Sequence, residues 1–196
     1  MELSPSGPRL VGIRVATRRL PAGQTILNAI GNLLADGCQV QEFLFADDIF
    51  GFFGDLPTFR DAYRRRRCIV PVDGFFEWKA IRGQKAKQPY AIAMKDGAPF
   101  GIAGIWENWK DPTSGEWIRT FAIITTDANE LVANIHDRMP VILAPGDYAR
   151  WLGEESDPRD LMRPFPADLM RMWPISTRVN KPENDDPSIV EPIGLG

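Results

Sequence analysis

Four consecutive arginines, Arg64 to Arg67, run straight into an apolar segment, and that segment runs into an aromatic one. The stretch reads Arg64-Arg65-Arg66-Arg67-Cys68-Ile69-Val70-Pro71-Val72-Asp73-Gly74-Phe75-Phe76-Glu77-Trp78-Lys79. Cys68–Val72 and Phe75–Lys79 are short and rich in β-branched or aromatic residues, so both read as strands. They flank Asp73-Gly74, the strongest short-range hairpin signal. An antiparallel pair around a two-residue turn is therefore expected. Glu77 is the odd member, a carboxylate between Phe76 and Trp78. Pointing outward, it is an ordinary exposed acid. Pointing inward, it is desolvated, and desolvation moves a carboxyl toward the range in which it can donate a proton near neutrality. Spacing alone leaves both orientations open.

The arginines also have two readings. Arg64, Arg65, Arg66 and Arg67 make a good phosphate-contacting cluster. They also suit the solvated C-terminus of a helix, where the macrodipole favours cations. The chain as a whole does not decide this: its formal net charge of -3 over 196 residues gives no global attraction to polyanions. Any nucleic-acid site must then come from local charge. The two cysteines, Cys38 and Cys68, are too few for a disulfide framework or a zinc site. That usage fits a reducing interior, and a cytoplasmic location is expected. The N-terminus lacks the apolar core of a secretory signal. No run approaches the ~18 apolar residues of a membrane span.

Taken in order, residues 1–56 are the least legible. Leu10–Ala16 alternates weakly, as a strand would, and Thr25–Ala35 has helical spacing closed by Asp36-Gly37. Glu42–Gly54 is crowded with Phe but follows neither period. From Thr58 the signals sharpen. Thr58 is suited to cap a helix in which Phe59, Ala62, Tyr63 and Arg66 share one face. After the two strands comes a basic loop, Ile81–Gln88. Strands are then expected at Pro89–Met94, Phe100–Trp106 and Trp117–Thr125. Asp127 and Glu130 have capping-box spacing for a helix through Ala128, Leu131, Val132 and Ile135. Pro140 stops it. A strand at Val141–Leu143, short helices at Tyr148–Leu152 and Pro158–Met162, and a last strand at Met170–Ile175 complete the body. Lys181–Gly196 is a Pro-rich tail. One α+β domain with mainly antiparallel pairing is expected.

His136 is the sole histidine, in a loop segment before Asp137 and Arg138. Imidazole titrates near neutral pH, which suits acid–base work. A structural histidine at a helix C-terminus is the plainer alternative. With Glu77 it would make an acid–base pair if the fold joined them. The six tryptophans (Trp78, Trp106, Trp109, Trp117, Trp151 and Trp173) can stack bases, although their strand patterns favour the core. No phosphate-binding glycine loop or metal-ligand triad is present, so no cofactor or metal is expected.

Several of these pieces occur together in one family. Phe59-Arg60-Asp61-Ala62-Tyr63 leading into Arg67–Trp78 resembles the SRAP family, the SOS response-associated peptidase-like proteins. So do Gly101-Ile102-Ala103-Gly104-Ile105-Trp106, Thr125-Thr126 with Ala128-Asn129, and His136-Asp137-Arg138-Met139-Pro140-Val141-Ile142-Leu143. Val179-Asn180 with Asn184-Asp185 and Pro187 are similar as well. The resemblance spans residues 57–196 and leaves 1–56 as a divergent segment of a single domain. It implies an α+β fold around barrel-like β-sheet. It also implies a DNA-damage role: recognition of abasic sites in single-stranded DNA, covalent DNA–protein cross-linking, and peptidase removal of the initiator Met. The expected state is a monomer, and protein partners are not indicated. By the same resemblance Glu77 assists Schiff-base formation and Met removal. His136 moves protons and opens the sugar ring, and Arg138 lies near the DNA backbone.

The departure is at the N-terminus. Family members begin Met-Cys-Gly-Arg, and the cysteine amine and thiol close a thiazolidine on the sugar aldehyde. This chain begins Met1-Glu2-Leu3-Ser4. The family's Asn-Ala-Arg segment has no counterpart in Asp47-Asp48-Ile49-Phe50-Gly51-Phe52-Phe53, and its Trp-Gly segment is missing. The expectation is an impaired covalent step and a divergent or frame-disrupted first third. A non-catalytic single-stranded DNA or protein-binding module, or a poorly folding gene remnant, are the alternatives.

Overall fold

The computed structural model describes residues 57–194, apart from 156, 182, 183 and 185. The expectations for residues 1–56, including Cys38 and the Phe-rich segment, lie outside these. Helix α1 (Pro57–Arg65) leads into β1 (Arg67–Val72), β2 (Phe75–Lys79), β3 (Gln88–Met94), β4 (Phe100–Lys110) and β5 (Trp117–Ile123). Then come β6 (Thr125–Asp127), β7 (Arg138–Pro140), β8 (Ile142–Leu143), helix α2 (Tyr148–Leu152) and β9 (Met170–Pro174). Thr58 lies within the first turn of α1, because the helix begins at Pro57, whose preset φ suits a first helical position.

All strand pairs are antiparallel. Sheet one has the order β1-β4-β5, with β8 also on β4; sheet two is β2-β3-β9; β6 and β7 form a ribbon. The α+β, antiparallel architecture is as expected. The barrel is not: the described strands form separate sheets that do not close. The Asp73-Gly74 hairpin is also corrected. β1 pairs with β4, and β2 pairs with β3. A two-residue hairpin of the favoured type needs positive φ at its central residues, and neither Asp73 nor Gly74 has it. The pair instead carries the chain from one sheet to the other. Glycine is required there for a different reason: a Cβ on Gly74 would sit 2.7 Å from the Ile92 carbonyl oxygen.

Three apolar clusters hold the layers together. Between the sheets lie Val72, Phe75, Ile92, Phe100, Ile102, Ile123 and Met170, with Val132 and Met139. Behind sheet one, Tyr63, Ile105, Val141, Leu143, Trp151 and Leu161 pack it against the helices. Behind sheet two, Phe76, Ala91, Ile175 and Val179 are covered by Trp78, Trp173 and Val190. The Pro-rich tail is therefore part of the body: the Trp173 Nε1–H donates to the Val190 carbonyl (2.8 Å) and Ile175 bridges Pro192. Alternate residues of a strand face opposite ways. β2 thus sends Phe75 into the central cluster and Phe76 into the outer one.

A triangle of backbone hydrogen bonds places the β6–β7 ribbon against sheet one. The Ala103 N–H donates to Val141 O (2.9 Å), Ile124 N–H to Ala103 O (3.0 Å), and Val141 N–H to Ile124 O (2.8 Å). Among the described residues, no helix is long and apolar enough to cross a membrane.

The segment after α2 is fastened by an exposed network. The Arg150 guanidinium donates to both carboxylate oxygens of Glu155 (2.6 and 2.7 Å) and both of Asp160 (2.6 and 2.7 Å). Those hydrogen bonds hold both carboxyls below the ordinary carboxylate range. A carboxyl depressed in the folded state stabilises above its unfolded pKa of roughly 4 and loses that contribution as pH falls through its folded value. Arg150→Ala should therefore melt below the parent at neutral pH, with the gap narrowing on acidification. A gap unchanged down the acid limb would exclude this linkage.

Candidate functional site

Glu77 is buried, at 3% exposure, which resolves its orientation. Its backbone partner across the ladder is Tyr90. Two residues on from Phe75, it shares the Phe75 face of β2, the face turned to the central cluster. That cluster includes Val132 and Met139, and Ile135 packs against it. These residues lie on either side of His136 in the chain, so Glu77 and the His136 segment face the same core.

The segment carrying His136 is built differently from expectation. Asp127 does not cap a helix; it is the last residue of β6 and pairs across the ribbon with Arg138. Only a 3-10 turn, Val132–Asn134, forms between β6 and β7. Asn129 organises it: Oδ1 accepts from the Leu131 and Val132 N–H groups (3.1 and 3.0 Å). Its Nδ2–H donates to the Phe165 carbonyl (2.7 Å). Asn129 itself is 8% exposed. An Asx side chain that bonds the backbone two residues on competes with helix. The Asx residue ahead of an apolar turn was the available signal, read two positions too early. The turn closes with the His136 N–H donating to Val132 O (3.0 Å).

His136 is largely enclosed, its side chain 21% exposed. The Arg138 N–H donates to His136 Nδ1 (3.1 Å). The same Nδ1 lies 3.2 Å from the Arg138 carbonyl oxygen and 3.3 Å from Asp137 Oδ1. Arg138 donates from Nη2 to the carbonyl oxygen (3.0 Å) and Oγ1 (2.8 Å) of Thr125. Its Nη1 lies 3.5 Å from Asp127 Oδ1. The guanidinium is tied to the ribbon that presents His136.

The arginine run separates. Arg64 and Arg65 are exposed. Arg66 is half-buried and paired with Glu107 at 2.5 Å. Arg67 is buried and cannot reach a phosphate, which corrects its place in the cluster. Its Nε donates to Trp151 O (2.5 Å), Nη1 to Tyr63 O (2.7 Å), and Nη2 to Gly153 O and Glu155 O (both 2.7 Å). The guanidinium also lies 5.9 Å from the Tyr63 ring and 5.6 Å from the Trp151 ring. The helix-to-strand transition turns four adjacent side chains in different directions, so a linear charge run does not become a surface patch. Cys68, next along, is also buried in β1. Burial pushes the nearby Tyr63 phenol above its ordinary pKa, and its hydrogen bond to Asp157 (2.9 Å) adds to the shift.

The family profile described as SOS response associated peptidase (SRAP) matches residues 53–182. The abasic site processing protein YoqW of Bacillus subtilis is 41% identical over 139 residues, covering 69% of this chain and 61% of that protein. The abasic site processing protein HMCES of Gallus gallus is 38% identical over 153 residues, 67% of this chain and 45% of that protein. The chain therefore spans less than two thirds of either relative. Among solved structures, a protein from Bacteroides thetaiotaomicron superposes with a TM-score of 0.66 at 36% identity, covering 72% of this chain and 62% of that one. A protein from Bordetella bronchiseptica gives 0.57 at 34%, covering 63% and 61%. Glu77, His136 and Arg138 all lie inside the matched residues, and the likeness extends from sequence to backbone: the chain belongs to the SOS response associated peptidase (SRAP) family.

Proposed function

We propose that the chain recognises abasic sites in single-stranded DNA, with Glu77 and His136 as its acid–base groups and Arg64, Arg65 and Arg138 near the phosphates. The observation that carries this is the burial of Glu77 on the β2 face turned to the core that flanks His136. Relatives named as abasic site processing proteins support the substrate class. The chemistry is coherent. A ring-opened abasic sugar exposes an aldehyde; an amine adds to its carbon, a proton reaches the carbinol oxygen, and water leaves to give an imine. That sequence needs one group to deliver a proton and another to take one away, and a carboxyl and an imidazole that face one core are the groups this chain offers for it. Arg138, hydrogen-bonded to Thr125, keeps the His136 ribbon in place and contributes positive charge.

Binding is expected to weaken as salt rises, because cations condensed on the phosphates are released. Arg64→Ala with Arg65→Ala should flatten that slope by about 1 to 2. Glu77→Gln should bind nearly as the parent does, since the amide keeps the shape and loses only the titrating proton. Fluorescence anisotropy with a labelled single strand at several salt concentrations measures all three. Affinity independent of salt would refute the phosphate contacts.

A further inference from the structure

We propose that the central-core face of the β4–β5 hairpin is a second nucleic-acid contact, a stacking platform for the single strand that flanks the site. The ladder pairs Trp106 with Phe121, Asn108 with Arg119, and Lys110 with Trp117. Paired residues project on the same side of a sheet, and every second residue repeats it. One face therefore carries Trp106, Asn108 and Lys110 beside Phe121, Arg119 and Trp117. Aromatic and cationic side chains alternate along it. The Arg119 guanidinium lies 4.8 Å from the Trp106 ring and the Lys110 ammonium 5.9 Å from the Trp117 ring. Arg119 Nε–H also donates to Asn108 Oδ1 (3.1 Å).

Three observations make this a nucleic-acid surface. Trp117 is 69% exposed, the most exposed large apolar side chain among the described residues; an aromatic held in water beside a cation suits a base and its phosphate. Charge is sorted by face: Glu107 belongs to the opposite face, where it pairs with Arg66, and Asp111 and Glu116 sit in the turn beyond Lys110 and Trp117. The row is also continuous with the candidate site, because its inner member Phe121 packs against the cluster that holds Phe75 and Val132. Phe121 lies four residue steps from Trp117, about 14 Å along a strand, room for roughly four stacked nucleotides.

The proposal rests on the reading of the chain as a DNA-directed protein, and the experiment separates the two. The full chain is titrated into labelled oligothymidylate lacking any abasic site, alongside Trp117→Ala and Lys110→Ala. Both variants should melt as the parent does, since both positions are exposed. Trp117→Ala should bind about tenfold more weakly, and Lys110→Ala should lower the salt slope by roughly 0.7. Parent binding with unchanged affinity and slope in both variants overturns the platform alone. No binding by the parent, either to this strand or to one bearing an abasic site, overturns the platform together with the reading beneath it. Parent binding that requires the abasic site overturns the platform and leaves that reading intact.

Discussion

Replacing Arg67 with methionine is expected to lower stability by about 3 kcal/mol, far more than the same change at its neighbours. Methionine keeps the apolar stem between Tyr63 and Trp151 but has no donors. The carbonyls of Trp151 and Tyr63, both on buried residues, then lose the guanidinium bonds. Each buried acceptor left unpaired costs about 1–3 kcal/mol. The segment after α2 loses its tie as well, since Gly153 and Glu155 accept from the same guanidinium. Arg64→Met and Arg65→Met, on exposed side chains, should stay within about 0.5 kcal/mol of the parent. Urea denaturation reads this as a shift of midpoint at constant slope. A midpoint for Arg67→Met no lower than for Arg64→Met would show that the buried guanidinium is dispensable.

A polypeptide of this sequence, incubated with single-stranded DNA bearing one abasic site and denatured without reductant, is expected to yield no persistent crosslink. A thiazolidine closes when an amine nitrogen and a thiol sulfur both add to the aldehyde carbon and one water leaves. The amine and thiol must stand on adjacent carbons of one residue, which only an N-terminal cysteine offers. In the polypeptide tested the terminal residue is Met1, or Glu2 after Met removal. Cys68 has no free α-amine and is buried in β1. The terminal amine, with a pKa of roughly 8, keeps enough neutral form to make an imine, and borohydride should trap that species. Crosslink with reductant and none without is the expected pair of results. Glu2→Cys alone should not restore full activity, because the asparagine and arginine that the family resemblance implies have no counterpart around Asp47–Ile49. A stoichiometric crosslink that survives denaturation without reductant would refute the claim.

The elements that local chemistry specifies were legible in advance. β3 and β9 follow their apolar runs, and α2 ends at Gly153 as its sequence indicates. The family was legible as well, because its motifs are long and fall in order. Strand pairing was not. Asp73-Gly74 carries a hairpin signal, yet β1 finds β4 and β2 finds β3, since burying two faces in two different clusters outweighs a local turn preference. Asp127 had capping spacing, but strand pairing with β7 claimed it and left the turn to Asn129. The candidate site was decided at the same level. Arg64 and Arg67 are identical side chains three residues apart; one is in water, while the other donates to a carbonyl 84 residues away. Glu77 could face either way until sheet two was packed on both sides. The sequence by itself determined which residues are available and which short segments are strands. Only the tertiary structure decided which charges are buried and which groups share a face, because burial is a property of partners distant in the chain.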